Sequence, residues 1–121
     1  MQDSQKNFHK KLLGRIGEKS AVKFLKKLKY KILETNYTNH VGEIDIIAKD
    51  NETIVFIEVK TRSSTAFGMP SEAVNHEKQR KYFMIASYYL EKFNYTDNEC
   101  RFDVIEVLDG DINHIKGAFS K

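Results

Sequence analysis

Asp45, Glu58 and Lys60 are the residues whose types and spacing best suit chemistry in this chain. They lie within residues 42–62, where two runs rich in β-branched and aromatic residues flank Asp50-Asn51-Glu52. That pattern predicts two strands joined by a tight turn. Side chains alternate faces along a strand. Glu43, Asp45 and Ile47 then share one face of the first arm, with Ile44, Ile46 and Ala48 on the other. In the second arm Ile54, Phe56, Glu58 and Lys60 oppose Val55, Ile57 and Val59. A two-residue or a four-residue loop pairs Lys49 with Ile54, setting Asp45 opposite Glu58 and Glu43 opposite Lys60. A three-residue loop would shift the register and separate Asp45 from Glu58. Two of the three simple loops therefore gather three carboxylates and an ammonium at one end of the hairpin.

Cross-strand ion pairs are the plain structural reading of such a cluster, each worth only about 0.2–1 kcal/mol. Carboxylates facing one another argue for more, because like charges directly opposite are destabilising. A hard divalent cation bound through oxygens offsets that repulsion. The set suits phosphodiester hydrolysis: carboxylates hold Mg²⁺ or Mn²⁺, which polarises the phosphate and acidifies a water. Lys60 then stabilises the charge of the phosphorane or orients the attacking water.

Other elements must position this hairpin. Residues 10–29 read as a helix with Ile16, Ala21, Phe24, Leu25 and Leu28 inward and Lys19, Lys23, Lys26 and Lys27 largely elsewhere. Gly14 and Gly17 mark either its start or a close backbone approach. By spacing alone Glu18 reads as an exposed first-turn acid favoured by the helix dipole. Residues 30–37 form a first strand, and residues 61–69, rich in Ser, Thr and Gly, a flexible loop rooted at Lys60 and Arg62. A second helix runs to about Phe93, with Asn75 as N-cap or Ser71 as the alternative start after Pro70. Its apolar line is Tyr82, Ile85, Ala86, Tyr89 and Phe93. Lys78 extends that line by one turn, pointing inward or snorkelling out. Residues 101–108 read as a buried strand and Asp109-Gly110 as the turn into a short one over 112–115. The long helix between the third and fourth strands is the crossover that lays them parallel. Asp103 then falls at the far end of the sheet, outside the site. His9, His40, His76 and His114 are scattered and read as surface residues.

At 121 residues the chain suits one domain over 1–121 with a real core. No apolar run reaches membrane-spanning length and the polar start has no signal-peptide core, so no membrane partner is expected. A lone cysteine, Cys100, excludes an internal disulfide and fits the cytoplasm. The net charge of +3 is segregated: residues 1–31 carry +8 and the remainder −5. A basic face of this kind suits either a polyanion partner or simple solvation.

Asp45 with Glu58-Val59-Lys60 resembles the PD-(D/E)xK signature of restriction-endonuclease-like nucleases. Three motifs closely resemble the bacterial YraN family: residues 14–18, residues 42–48 and residues 57–62. Ala73-Val74 followed by Lys78-Gln79 adds a fourth, and the match covers nearly the whole chain. A wider resemblance, to archaeal Holliday-junction resolvases, rests on the first-helix acid, Gly-x-x-Asp and Glu-x-Lys. Ile44 stands where the signature has proline. The resemblance implies an α/β, restriction-endonuclease-like αβββαβ core with a mixed central sheet flanked by helices. It implies Asp45 and Glu58 as metal ligands, Val59 through its carbonyl, Glu18 in the metal shell, and Lys60 as the catalytic lysine. It also places Lys78 at a basic position on the second helix. Lys19, Lys23, Arg62 and Lys78 are the expected nucleic-acid contacts. The expected partner is nucleic acid, DNA before RNA, with a homodimer as an allowed assembly and a branched substrate as one option. A non-catalytic nucleic-acid-binding module of the same fold is the alternative.

Overall fold

The computed structural model describes residues 2–62 and 74–121. The order is α1 (Gln2–Lys27), β1 (Lys31–Thr38), β2 (Glu43–Asp50), β3 (Thr53–Arg62), α2 (His76–Lys92), β4 (Cys100–Leu108) and β5 (Asp111–Phe119). The strands form one sheet in the order β1-β2-β3-β4-β5. β3 and β4 are parallel, joined through α2, and the other neighbours are antiparallel. This is the α/β class, a mixed sheet with two helices, consistent with a restriction-endonuclease-like core. The loop expected over 61–69 lies, beyond Arg62, outside the described residues, as do Pro70, Ser71 and the side chain of His9. No described helix is long and apolar enough to cross a membrane.

The hairpin adopts the two-residue loop. Asp50 pairs with Thr53 and Lys49 with Ile54, and Asn51 takes the left-handed backbone conformation the turn requires (φ 54°). Both faces of the hairpin are covered. Ile46, Ala48, Val55 and Ile57 pack with Ala21 and Leu25 of α1, whereas Ile47, Ile54 and Phe56 pack with Tyr82, Ile85 and Tyr89 of α2. Ile44 is a correction to strict alternation. It joins the α2-side core while Ile46 packs on the α1 side, at the point where the β2–β3 ladder ends and β2 is paired with β1 alone.

α1 begins earlier than expected and buries a narrower stripe. Gly17, Ala21 and Leu25, at i, i+4 and i+8, face the sheet. Ile16, expected inward, is 54% exposed, and Leu28 is also exposed. The helix ends in a Schellman motif: Tyr30 N–H donates to Leu25 O (3.0 Å), Lys29 N–H donates to Lys26 O (3.0 Å), and Lys29 is left-handed (φ 71°). That turn swings Leu28 out of the stripe. Asn75 caps α2, its Oδ1 accepting from Lys78 N–H at 2.9 Å. Tyr82, Ile85, Ala86 and Tyr89 are buried as expected, while Phe93 sits at the cap and is exposed. β5 is longer than its apolar core suggested.

Candidate metal centre

The end of the sheet where β2 begins and β3 closes lies between the two helical layers, and acids of α1, β2 and β3 converge there. Oxygens of Glu18, Glu43 and Asp45 all lie within 4.8 Å of one another. Glu18 arrives from α1 because Gly17, the residue before it, meets Thr61 of β3; a Cβ at position 17 would overlap Thr61 Oγ1. Glu43 is fixed by the β1–β2 turn, where Asn39 Oδ1 accepts from Val41 N–H at 2.8 Å and Asn39 N–H donates to Gly42 O at 3.0 Å. Asp45 is fixed by β3 itself. Its Oδ2 accepts from Val59 N–H at 2.8 Å, beyond the last ladder pair. The side chain thus serves a backbone donor that the diverging strand no longer reaches.

Glu58, buried at 6% exposure, is held from the other layer. Lys78 Nζ donates to its Oε1 at 2.6 Å, and Tyr82 OH donates to its Oε2. Lys60 lies two residues further on β3, on the same face by strand period, and is exposed. Of the residues implied as metal ligands, Glu18 and Asp45 come together, with Glu43 as the third member of the group. Glu58 stands beside Asp45, close enough to perturb it, with its two oxygens engaged by α2.

The electrostatics carry the mark of this crowding. Burial, then the Glu58 charge, push the Asp45 carboxyl up to about 7, against the Val59 N–H and Lys78, which favour the anion. Glu18 is raised by burial and by Glu43 and Glu58. Tyr82 is held protonated far above its ordinary range by burial and by Glu58 and Asp45, which keeps it a donor. Four carboxylates thus share a site with one paired lysine, and every candidate ligand atom is an oxygen. That donor set fits a hard cation such as Mg²⁺ or Mn²⁺ rather than a soft one.

Asn36 is a member that the sequence did not disclose. It adopts a left-handed conformation on β1 (φ 52°) and reaches the acids. With its amide nitrogen inward, as its acceptor surroundings dictate, it donates to Glu18 Oε1 at 2.7 Å and Glu43 Oε1 at 3.0 Å. Glu106 also escaped sequence reasoning. It is fully buried, paired in register with Lys60, and accepts from Arg62 Nε at 2.7 Å. Arg62, expected at phosphates, therefore directs its guanidinium to β4. The available signal was a carboxylate within the apolar line Phe102, Val104 and Leu108.

Asp103 and His114 correct two expectations. Asp103 pairs with Ile57, so it lies level with the site and not at the far end of the sheet. It is fully buried on the α1 side and is bonded by His114 Nε2 (2.8 Å), Arg101 Nε (2.9 Å) and Gly117 N–H (2.9 Å). Burial alone would raise its pKa, but these bonds together hold it below the ordinary value. His114, expected at the surface, has only 7% of its side chain exposed. His40 and His76 are not buried, and Lys19 and Lys23 lie on the outer part of α1.

A mixed sheet between two helices, with acids gathered at one end of a central hairpin, is an α/β fold consistent with a restriction-endonuclease-like core. The chain matches the model of the uncharacterised protein family UPF0102 over residues 17–107. It is 51% identical to the UPF0102 protein of Clostridioides difficile over 108 residues, covering 88% of this chain and 95% of that one. It is 48% identical to that of Caldicellulosiruptor saccharolyticus over 117 residues (92% and 99%), and 45% identical to that of Persephonella marina over 106 residues (88% and 91%). The chain belongs to the UPF0102, or YraN, family.

Proposed function

We propose that this protein is a metal-dependent endonuclease acting on nucleic acid in the cytoplasm, with DNA before RNA as substrate. The convergence of Glu18, Glu43 and Asp45 within 4.8 Å, next to Glu58, is the observation that carries this reading. Glu18, Glu43 and Asp45 would hold Mg²⁺ or Mn²⁺, with Glu58 joining them where an oxygen is released from Lys78 or Tyr82. Bound there, the cation supplies Lewis-acid charge for phosphodiester hydrolysis. The protein's own residues do the rest. Asn36 and the Val59 N–H orient the carboxylates, and Tyr82 fixes Glu58. Lys60, exposed on the Glu58 face, would meet charge that grows at the phosphate only in the transition state.

A non-catalytic binding module has one observation in its favour: Glu58 is already charge-compensated by Lys78. Cleavage assays decide between the two. Linear duplex, single strand and four-way junction are offered with Mg²⁺ and Mn²⁺ separately, to wild type and Lys60→Ala. The nuclease reading expects Lys60→Ala to lose about a hundred- to a thousandfold in rate. Wild-type protein that binds these substrates but cuts none faster than Lys60→Ala favours the binding module.

A further inference from the structure

Beside the acids, α1 and the edge strand β1 enclose a groove of about 910 Å³. Among the described residues, six cationic side chains line it against one acid, Glu18. Lys19, Lys23, Lys26 and Lys27 recur at helical spacing along its α1 wall, while Val22 and Thr35 contribute to its lining. Its lining includes Glu18 and Asn36, the two residues hydrogen-bonded to each other at the acid cluster. Past the cluster, Glu43 lines a second cleft of about 390 Å³ with Lys78 and Lys81 of α2. Glu77 also lines that cleft, so its two acids match its two lysines and the basic depression beside the acids is the α1–β1 groove.

We infer that a single strand of nucleic acid lies in the α1–β1 groove and is led by the α1 lysines onto the acid cluster. This assignment rests on the nuclease reading and adds the form of its substrate. The groove volume sits near the top of the roughly 300–1,000 Å³ range that buries small ligands, which suits a few linked nucleotides. A duplex keeps its bases stacked inside and would offer such a groove only its backbone. Val22 and the lysine stems offer apolar surface to unstacked bases, which a single strand presents and a duplex keeps inside. Lys19, Lys23, Lys26 and Lys27 are all exposed, so their charges can meet a backbone in solvent.

The test is binding of a fluorescent twelve-residue oligo-dT, the matching oligo-U and a twelve-base-pair blunt duplex to the full chain, in Ca²⁺ at low salt. The single strands should bind about tenfold or more tightly than the duplex. Replacing Lys19, Lys23 and Lys26 by Gln should flatten the log–log salt slope for single strand by about 0.7 for each phosphate that is no longer neutralised. Acetylation of those lysines should slow in the presence of oligo-dT, while that of Lys92 on α2 should not. Duplex binding equal to or tighter than single-strand binding, or unprotected α1 lysines, would overturn the groove assignment and leave the nuclease reading standing. Failure to bind any of the three polymers would overturn both.

Discussion

Gly17 and Thr61 stand so close that a methyl group on the glycine would overlap the threonine hydroxyl oxygen. α1 can cross β3 at this distance only without a side chain there, and the crossing sets where Glu18 meets Glu43 and Asp45. Gly17→Ala should therefore push the helix outward, costing about 1–3 kcal/mol as overpacking does, and should weaken Mn²⁺ binding as Glu18 withdraws. Among the described residues nothing crowds Gly14, so Gly14→Ala should leave stability unchanged or raise it by about 0.5–1 kcal/mol. Thermal unfolding and a metal titration of the two variants check the pair. Equal behaviour would mean that the close approach positions nothing.

The raised Asp45 carboxyl makes stability depend on pH. In the unfolded chain it loses its proton near the ordinary value of 3.8, and in the folded chain near 7. Between those values the folded state binds more protons, so stability falls as pH rises across the window. Asp45→Asn, neutral throughout, should be the more stable protein above about pH 7 without metal, by roughly 1–4 kcal/mol. The gain should vanish near pH 4 and shrink when Mn²⁺ is added. Urea unfolding at pH 4, 6 and 8 measures it, and no gain at pH 8 would contradict the crowding.

Tyr82 bears on Glu58 in the same way from the other side. Tyr82→Phe keeps the ring packing and removes only the hydroxyl donor to a buried carboxylate. A loss of about 1–3 kcal/mol is expected, since the acceptor left behind stays out of water. Lys78→Gln should cost less, because that lysine side chain is 42% exposed and its pair is screened. The reverse order in chemical denaturation would show that Lys78, and not Tyr82, holds Glu58.

Much of the fold was legible in the sequence because it follows from local rules. Strand alternation and the Asp50-Asn51-Glu52 turn placed Lys49 across from Ile54, and α2 as a crossover made β3 and β4 parallel. Asn75 announced its own cap. What stayed hidden depends on where elements end in space. Ile16 looks inward by period, yet it is 54% exposed on α1. Ile44 packs on the α2 side, not with Ile46, at the place where the β2–β3 ladder has already stopped. Asn36 reaches the acids through a left-handed backbone that no pattern of residue types announces. Glu106 and Asp103 are buried carboxylates whose partners, Arg62 and His114, come from other strands.

The central claim is that the acids hold a cation. A calorimetric titration of Mn²⁺ into the metal-free wild type and into Asp45→Ala tests it most directly. The wild type should bind the ion with release of protons near pH 7, as expected when the Asp45 carboxyl, raised to about 7, must ionise. Asp45→Ala should lose that binding together with its proton release. Binding of equal strength in both proteins, or none in either, would contradict the metal centre.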